Sequence, residues 1–369
     1  MLLSELTSSA ERVALVGLAK NTGKTVALGA LLAELAAAGR RVAVTSVGRD
    51  GEEHDVIDSR IEKPAVELVT GSIVASTDSL LRASGVPLET LVRTGVRTPL
   101  GEVLIARLGG PGAIEIAGPS GAEAVRDVAE QMLALGAEQV LIDGAVDRRA
   151  ASSPDVADVL VMSTGAVLSE DIDDVIARTR DAVALVRLPI VAPDTPAGAR
   201  ALQLASGGRA RRTVLLDVDG SSTELPARFV LSADAAAVGR LLAEHPRAER
   251  LIVEGALPEA FVREVALAAR RRGRALTLVV ADPTRVFLSE RGSDFYRDLG
   301  APIETLRAID LRALTVNPQA PRSHEFDSAE LRARLADAIA GVPIFDVMHP
   351  DYRGALHAGA ARERQRPSA

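Results

Sequence analysis

An apolar run, Val13-Ala14-Leu15-Val16, passes through Gly17-Leu18-Ala19-Lys20-Asn21-Thr22 into Gly23-Lys24-Thr25, and an amphipathic stretch then runs from Val26 to Ala38 before Gly39. This order of buried strand, small-residue turn and helix constrains the chain more than any other feature. In such an arrangement the backbone N–H groups at a helix N-terminus curl around anionic oxygens, and the helix dipole favours negative charge there. Gly23 lets the main chain approach closely. Lys24 is spaced to reach the β and γ phosphates of a triphosphate, and the Thr25 hydroxyl to sit on Mg²⁺. Gly17, Lys20, Asn21, Thr22, Gly23, Lys24, Thr25 and Val26 are therefore the candidate nucleotide-binding residues, with ATP and Mg²⁺ the expected cofactors.

The chain has 369 residues, room for about two domains. Aromatic residues make up 2% and Trp is absent, so the core is built from Ala, Val, Leu and Ile, which suits parallel strands buried on both faces. The absence of cysteine excludes disulfides, thiolate catalysis and Cys-ligated zinc. Met1-Leu2-Leu3-Ser4-Glu5-Leu6 lacks the basic and apolar regions of a secretory signal, and no apolar run reaches membrane-spanning length. The expectation is a cytoplasmic protein that does not bind membranes. A formal net charge of −7 argues against nucleic acid as a partner. The basic run Arg270-Arg271-Arg272-Gly273-Arg274 follows the helical segment Pro258–Ala269 and reads as cations at a helix C-terminus.

Apolar segments alternate with helical ones, which predicts an α/β, doubly wound, mostly parallel sheet. After the first strand, Arg41–Gly48, Val103–Arg107, Ala113–Ile116, Gln139–Asp143 and Asp158–Ser163 read as strands and Gly121–Leu135 as a helix. The small and basic segment Ala205–Arg212 reads as a linker. Beyond it Thr213–Val218, Arg228–Leu231, Arg250–Val253, Ala275–Val280 and Ala313–Val316 are strand-like, interleaved with helices near Ala235–Glu244, Pro258–Ala269 and Ser328–Ala340. The expected domains are 1–205 and a smaller α/β unit over 206–350, with a disordered tail at 351–369.

A second chemical motif is Gln139-Val140-Leu141-Ile142-Asp143-Gly144-Ala145, an apolar strand that delivers a carboxylate at its tip. Asp143 there suits a Mg²⁺ water, since Mg²⁺ keeps several waters and takes one or two protein oxygens besides phosphate; the same residue can instead cap a turn. Glu115, in Ile114-Glu115-Ile116-Ala117-Gly118-Pro119-Ser120-Gly121, ends a strand toward the same cleft as a further metal candidate, while Ser120 can cap the next helix. Asn317, in Thr315-Val316-Asn317-Pro318, can read a base edge from a strand tip or simply make the turn before Pro318. Leu251–Ala256 imitates the Asp143 strand with Glu254, but reads as a core strand of the second unit. The five histidines are isolated in sequence and read as surface or capping residues.

The glycine spacing, G-x-x-x-x-x-G-K-T with Leu18 where the usual loop has glycine, resembles the loop of dethiobiotin synthetase and its relatives among P-loop NTPases. Asp143-Gly144-Ala145 is similar to that enzyme's Glu-Gly-Ala, and the resemblance implies that an acidic residue soon after the second strand approaches the metal or the attacking water. Asp50 holds that place, with Glu52 and Asp55 as competitors and a solvated acidic loop as the plain alternative. Lys24, Asp50 and Asp143 are thus the expected catalytic residues, and Thr25, Asp50, Asp143 and Glu115 the expected metal set.

Taken together, the Gly17–Thr25 loop, Ile114–Pro119, Leu141–Arg149, Thr315–Pro318 and Val342–Val347 resemble the nucleotide-binding subunit of lysine 5,6-aminomutase reactivase. The resemblance covers nearly the whole chain. It implies a MutS-like ATPase as partner and an adenosylcobalamin- and pyridoxal-phosphate-dependent aminomutase as client, and no catalysis of amine migration by this chain; the phosphate loop is expected to give a Mg²⁺-dependent ATPase, with a homodimer as one admissible assembly. Two other classes stay open: a dethiobiotin-synthetase-like ligase acting on a small acid, for which Lys63 is the candidate acid-binding residue, and a regulatory module that only binds nucleotide.

Overall fold

The computed structural model describes residues 1–48, 65–144, 149–206, 213–226, 228–321 and 324–353. The chain forms two compact units: Met1–Thr179 together with the chain from Asp310 onward, and Arg180–Ile309 between them in sequence. The division therefore falls at 179/180 and 309/310, not once at 205/206. Both units are α/β.

The first unit is built on a nine-stranded sheet. In spatial order its strands are Ile344–Phe345, Leu311–Asn317, Val159–Gly165, Arg12–Gly17, Gln139–Gly144, Val42–Ser46, Ile73–Thr77, Gly101–Leu108 and Leu88–Thr98. The first seven run parallel, and the last two form an antiparallel hairpin on the far edge. Sequence alternation found the inner strand of this hairpin at Val103–Arg107 but missed the outer one, because Leu88–Thr98 is half exposed along its length and carries no clean apolar face. Central strands such as Val13–Leu15 and Val140–Ile142 are fully buried, as expected of strands covered on both faces.

Helix Lys24–Ala37 packs Ala27, Leu28, Leu31, Leu32 and Leu35 into the same core as Leu15, Leu141 and Val161. These positions fall on one stripe of a 3.6-residue repeat. Glu34 lies in that buried face, where it accepts the Ser4 N–H at 2.7 Å and the Tyr352 hydroxyl. Burial pushes its carboxyl above the usual range, and burial and the Glu34 charge likewise raise the Tyr352 phenol. Tyr352, within the tail expected at 351–369, is itself buried; residues 354–369 lie outside the described residues.

Two expectations fail here. Ala313–Val316 belongs to Leu311–Asn317 in the first sheet, paired in register with Leu160–Gly165, and not to the second unit. An apolar strand pattern reports burial, not which sheet buries it. Arg228–Leu231 is not a strand either, since Phe229–Ser232 makes one helical turn in which the Ser232 hydroxyl donates to the Arg228 carbonyl. Three apolar residues, Phe229, Val230 and Leu231, are too few for either period to be read.

The second unit has a five-stranded sheet in the order Ser222–Glu224, Val214–Asp217, Ala248–Val253, Thr277–Val280 and Ile303–Thr305, the last three parallel. Its core gathers Leu251, Phe261, Val262, Val265, Leu278 and Tyr296. Glu259, at the start of helix Glu259–Arg272, accepts the backbone N–H groups of Ser289, Glu290 and Arg291 and the hydroxyls of Ser289 and Tyr296. Burial opposes its charge, but the donors prevail and hold the carboxyl down to about 2. Arg270, Arg271 and Arg272 occupy the last turn of the same helix, where cations meet the negative end of its dipole.

Candidate functional site

The seven parallel strands of the first unit end along one edge, and their connections diverge around Arg12–Gly17. That strand leads through helix Lys24–Ala37 to Val42–Ser46 on one side, while Gln139–Gly144 leads to Val159–Gly165 on the other. Open α/β sheets form a crevice at such a point, outside the carboxyl ends of the strands. The turn Leu18–Gly23 lies there.

The turn is folded tightly. Asn21 has φ +66° and Gly23, the N-cap of the helix, φ +84°. A Cβ on Gly17 would lie 2.4 Å from the Thr22 hydroxyl, so the chain can double back only over a glycine. Thr22 is buried and its hydroxyl donates to the Ala19 carbonyl at 3.0 Å, while the Leu18 N–H donates to the Ser163 carbonyl at 2.8 Å. Lys20 and Val26 are exposed, and Thr25 is half-buried as the second residue of the helix.

Lys24 is the first helical residue, and its Nζ lies 2.6 Å from Asp143 Oδ1. Strand alternation puts Asp143 on the same face as Leu141, which packs with Leu28 and Leu31 of the helix. The carboxylate thus comes up beneath the helix N-terminus. Register sets Asp143 opposite Leu15 on one neighbour and Ser46 on the other. The first turn of the helix carries no acidic residue, so its N–H groups, its dipole and Lys24 concentrate positive potential at one point. The Lys24 and Asp143 side chains are only 20% and 14% exposed, which strengthens their mutual attraction relative to a surface pair. Gly144, next along the strand, would bring a Cβ to 2.5 Å from that of Ala151.

Glu115 follows the short strand Gly112–Ile114, and its carbonyl accepts the Ser76 hydroxyl at 3.0 Å. The segment continues along the sheet edge: Gly118 N–H donates to Ser46 Oγ at 3.1 Å and Gly48 N–H to the Pro119 carbonyl at 2.7 Å. Glu115 is therefore anchored at a strand two places from that of Asp143. Gly121, not Ser120, is the N-cap of the helix Ala122–Ala134. Asp50, Glu52, Asp55, Lys63, His54 and His357 lie outside the described residues, as do residues 207–212 of the linker expected at Ala205–Arg212, whose first two residues end the helix Pro196–Ser206.

Among the described residues no three His, Asp or Glu side chains gather where they could hold a metal ion, and no helix is long and apolar enough to cross a membrane. His324 contacts the Ser169 carbonyl at 2.9 Å through Nε2, and His245 ends the helix Ala235–Glu244. Sequence reasoning singled out Asn317 at a strand tip but did not place it beside the turn. Asn317 ends the strand Leu311–Asn317, and its Nδ2 donates to the Asn21 carbonyl at 2.9 Å. The Asn-Pro at a strand end is the available signal, and the pairing of its strand with Val159–Gly165 is what brings it to the turn. No known family model matches this chain, and no curated protein matches it.

Proposed function

We propose that this chain is a P-loop protein that binds and hydrolyses ATP with Mg²⁺, and that it serves as the nucleotide-binding subunit of a reactivase for an adenosylcobalamin-dependent lysine 5,6-aminomutase. The observation that carries the nucleotide reading is the meeting of Lys24 and Asp143, 2.6 Å apart, at the uncapped N-terminus of the helix that follows a glycine turn. A cation for phosphate oxygens and a carboxylate for a metal-bound water are needed at the same point, and these two side chains supply them. Thr25 and Asp143 would hold Mg²⁺, which when bound neutralises charge on the phosphates. The turn's N–H groups orient the triphosphate, and Lys24 exchanges its carboxylate partner for phosphate oxygens.

The client rests on the resemblance of five segments, from Gly17–Thr25 to Val342–Val347. A reactivase must grip its client in one nucleotide state and release it in another, so the ligand has to bind the two states with different affinity. Its site of action is the cytoplasm, beside the client and a MutS-like partner ATPase. The test is restoration of activity to aminomutase inactivated by turnover, given fresh adenosylcobalamin, ATP, Mg²⁺ and the partner. Recovery should fail with Lys24→Ala and stall with a non-hydrolysable nucleotide. Equal recovery with the variant, or without nucleotide, contradicts the reading.

A further inference from the structure

The turn Leu18–Gly23 is held in part by a residue almost three hundred positions away in sequence. Asn21 lies in the left-handed region at φ +66°, where a non-glycine side chain is disfavoured, and among the described residues it is the non-glycine residue found there. Its carbonyl accepts Asn317 Nδ2 at 2.9 Å, and the other end of the same carboxamide accepts the Gln319 N–H at 3.2 Å. Only one orientation of the amide satisfies both partners, so neither end is interchangeable. A Cβ built on Gly23 would come to 3.1 Å from Asn317 Cβ, and one on Gly165 to 2.2 Å from the Asn317 carbonyl. The Asn317 side chain is thus wedged between the turn and the tip of the neighbouring strand, its amide braced at both ends.

We propose that Asn317 is a positioning residue for the phosphate-binding turn, acting through the Asn21 carbonyl and not through a nucleotide base. In a trans peptide the carbonyl and the next N–H point in opposite directions. Anchoring the Asn21 carbonyl therefore aims the Thr22 N–H away from Asn317, and fixes the peptide that leads into Gly23 and Lys24. Preorganised N–H groups bind an anion without first paying to order the loop. This deepens the nucleotide reading above and rests on it.

The test titrates two ligands, Mg²⁺-ATP and inorganic tripolyphosphate with Mg²⁺, into the wild-type chain, Asn317→Ala and Asn317→Asp. Asn317→Asp keeps the shape and the acceptor for Gln319 but removes the donor to Asn21. Both variants should weaken both ligands by the same factor, about tenfold, the size of one lost hydrogen bond. Unfolding midpoints without ligand should stay close to wild type for Asn317→Asp, which separates positioning from loss of fold. Weakened ATP with unchanged tripolyphosphate would make Asn317 a base reader and overturn the proposal. Wild-type affinity for tripolyphosphate in Asn317→Asp would overturn it as well. Failure of the wild-type chain to bind either ligand would instead remove the phosphate site itself, and this proposal with it.

Discussion

Lys24 stands at the positive end of its own helix, an unfavourable place for a cation unless an anion is supplied. Asp143 supplies one from the neighbouring strand tip, and a triphosphate is expected to compete for the same ammonium. Asp143→Asn should therefore leave triphosphate binding intact or slightly stronger while Mg²⁺-dependent turnover falls by on the order of tenfold or more, measured as phosphate release. Loss of turnover in Glu254→Gln with none in Asp143→Asn would reverse the assignment of the two strands. Gly23→Ala tests the turn. At φ +84°, with Asn317 Cβ 3.1 Å from the added carbon, it should cost about 1–2 kcal/mol in urea unfolding. No loss would mean the turn relaxes freely. The strand, turn and helix that carry Lys24 and Thr25, and the strand tip that carries Asp143, were legible in the sequence because each is set by local spacing. Asn317 was legible as a strand-tip asparagine, but its contact with Asn21 depends on a pairing between distant strands that no local pattern encodes.

At the scale of elements, the loop 289–291 of the second unit is held by one carboxylate, that of Glu259. Its carboxyl is lowered from 4.5 to about 2, so its contribution is present above pH 4.5 and is lost as pH falls toward 2. A shift of that size corresponds to about 3 kcal/mol. Glu259→Gln should destabilise the second unit at neutral pH and flatten its acid unfolding below pH 4.5, followed by circular dichroism. An acid limb as steep as wild type would contradict this. Helix Ala122–Ala134 was read almost residue for residue, since its apolar positions repeat with helical period and glycines flank it. The half-exposed hairpin strand Leu88–Thr98 and the single turn at Phe229–Ser232 were not, because one lacks a buried face and the other is shorter than either period.

Across the whole molecule, the second unit is an insertion between strands of the first sheet, whose assembly needs chain from both sides of it. A fragment of residues 1–205, the domain expected from composition, lacks Leu311–Asn317 and Ile344–Phe345 and also Tyr352, which hydrogen-bonds Glu34 and Leu3. It should fail to give a cooperative unfolding transition, whereas residues 180–309, with their own cores, should give one. A well-folded 1–205 fragment would contradict the insertion. The alternation of strands and helices was visible in the sequence, but the return of the chain was not, because an apolar strand carries no label for its neighbours. The central claim is that the Gly23-Lys24-Thr25 turn holds a triphosphate. Calorimetric titration of Mg²⁺-ATP into the wild-type chain and into Lys24→Ala, matched for unfolding midpoint, tests it most directly. Saturable binding that is lost in the variant is the predicted result; no binding by the wild-type chain, or equal affinity in both, would contradict it.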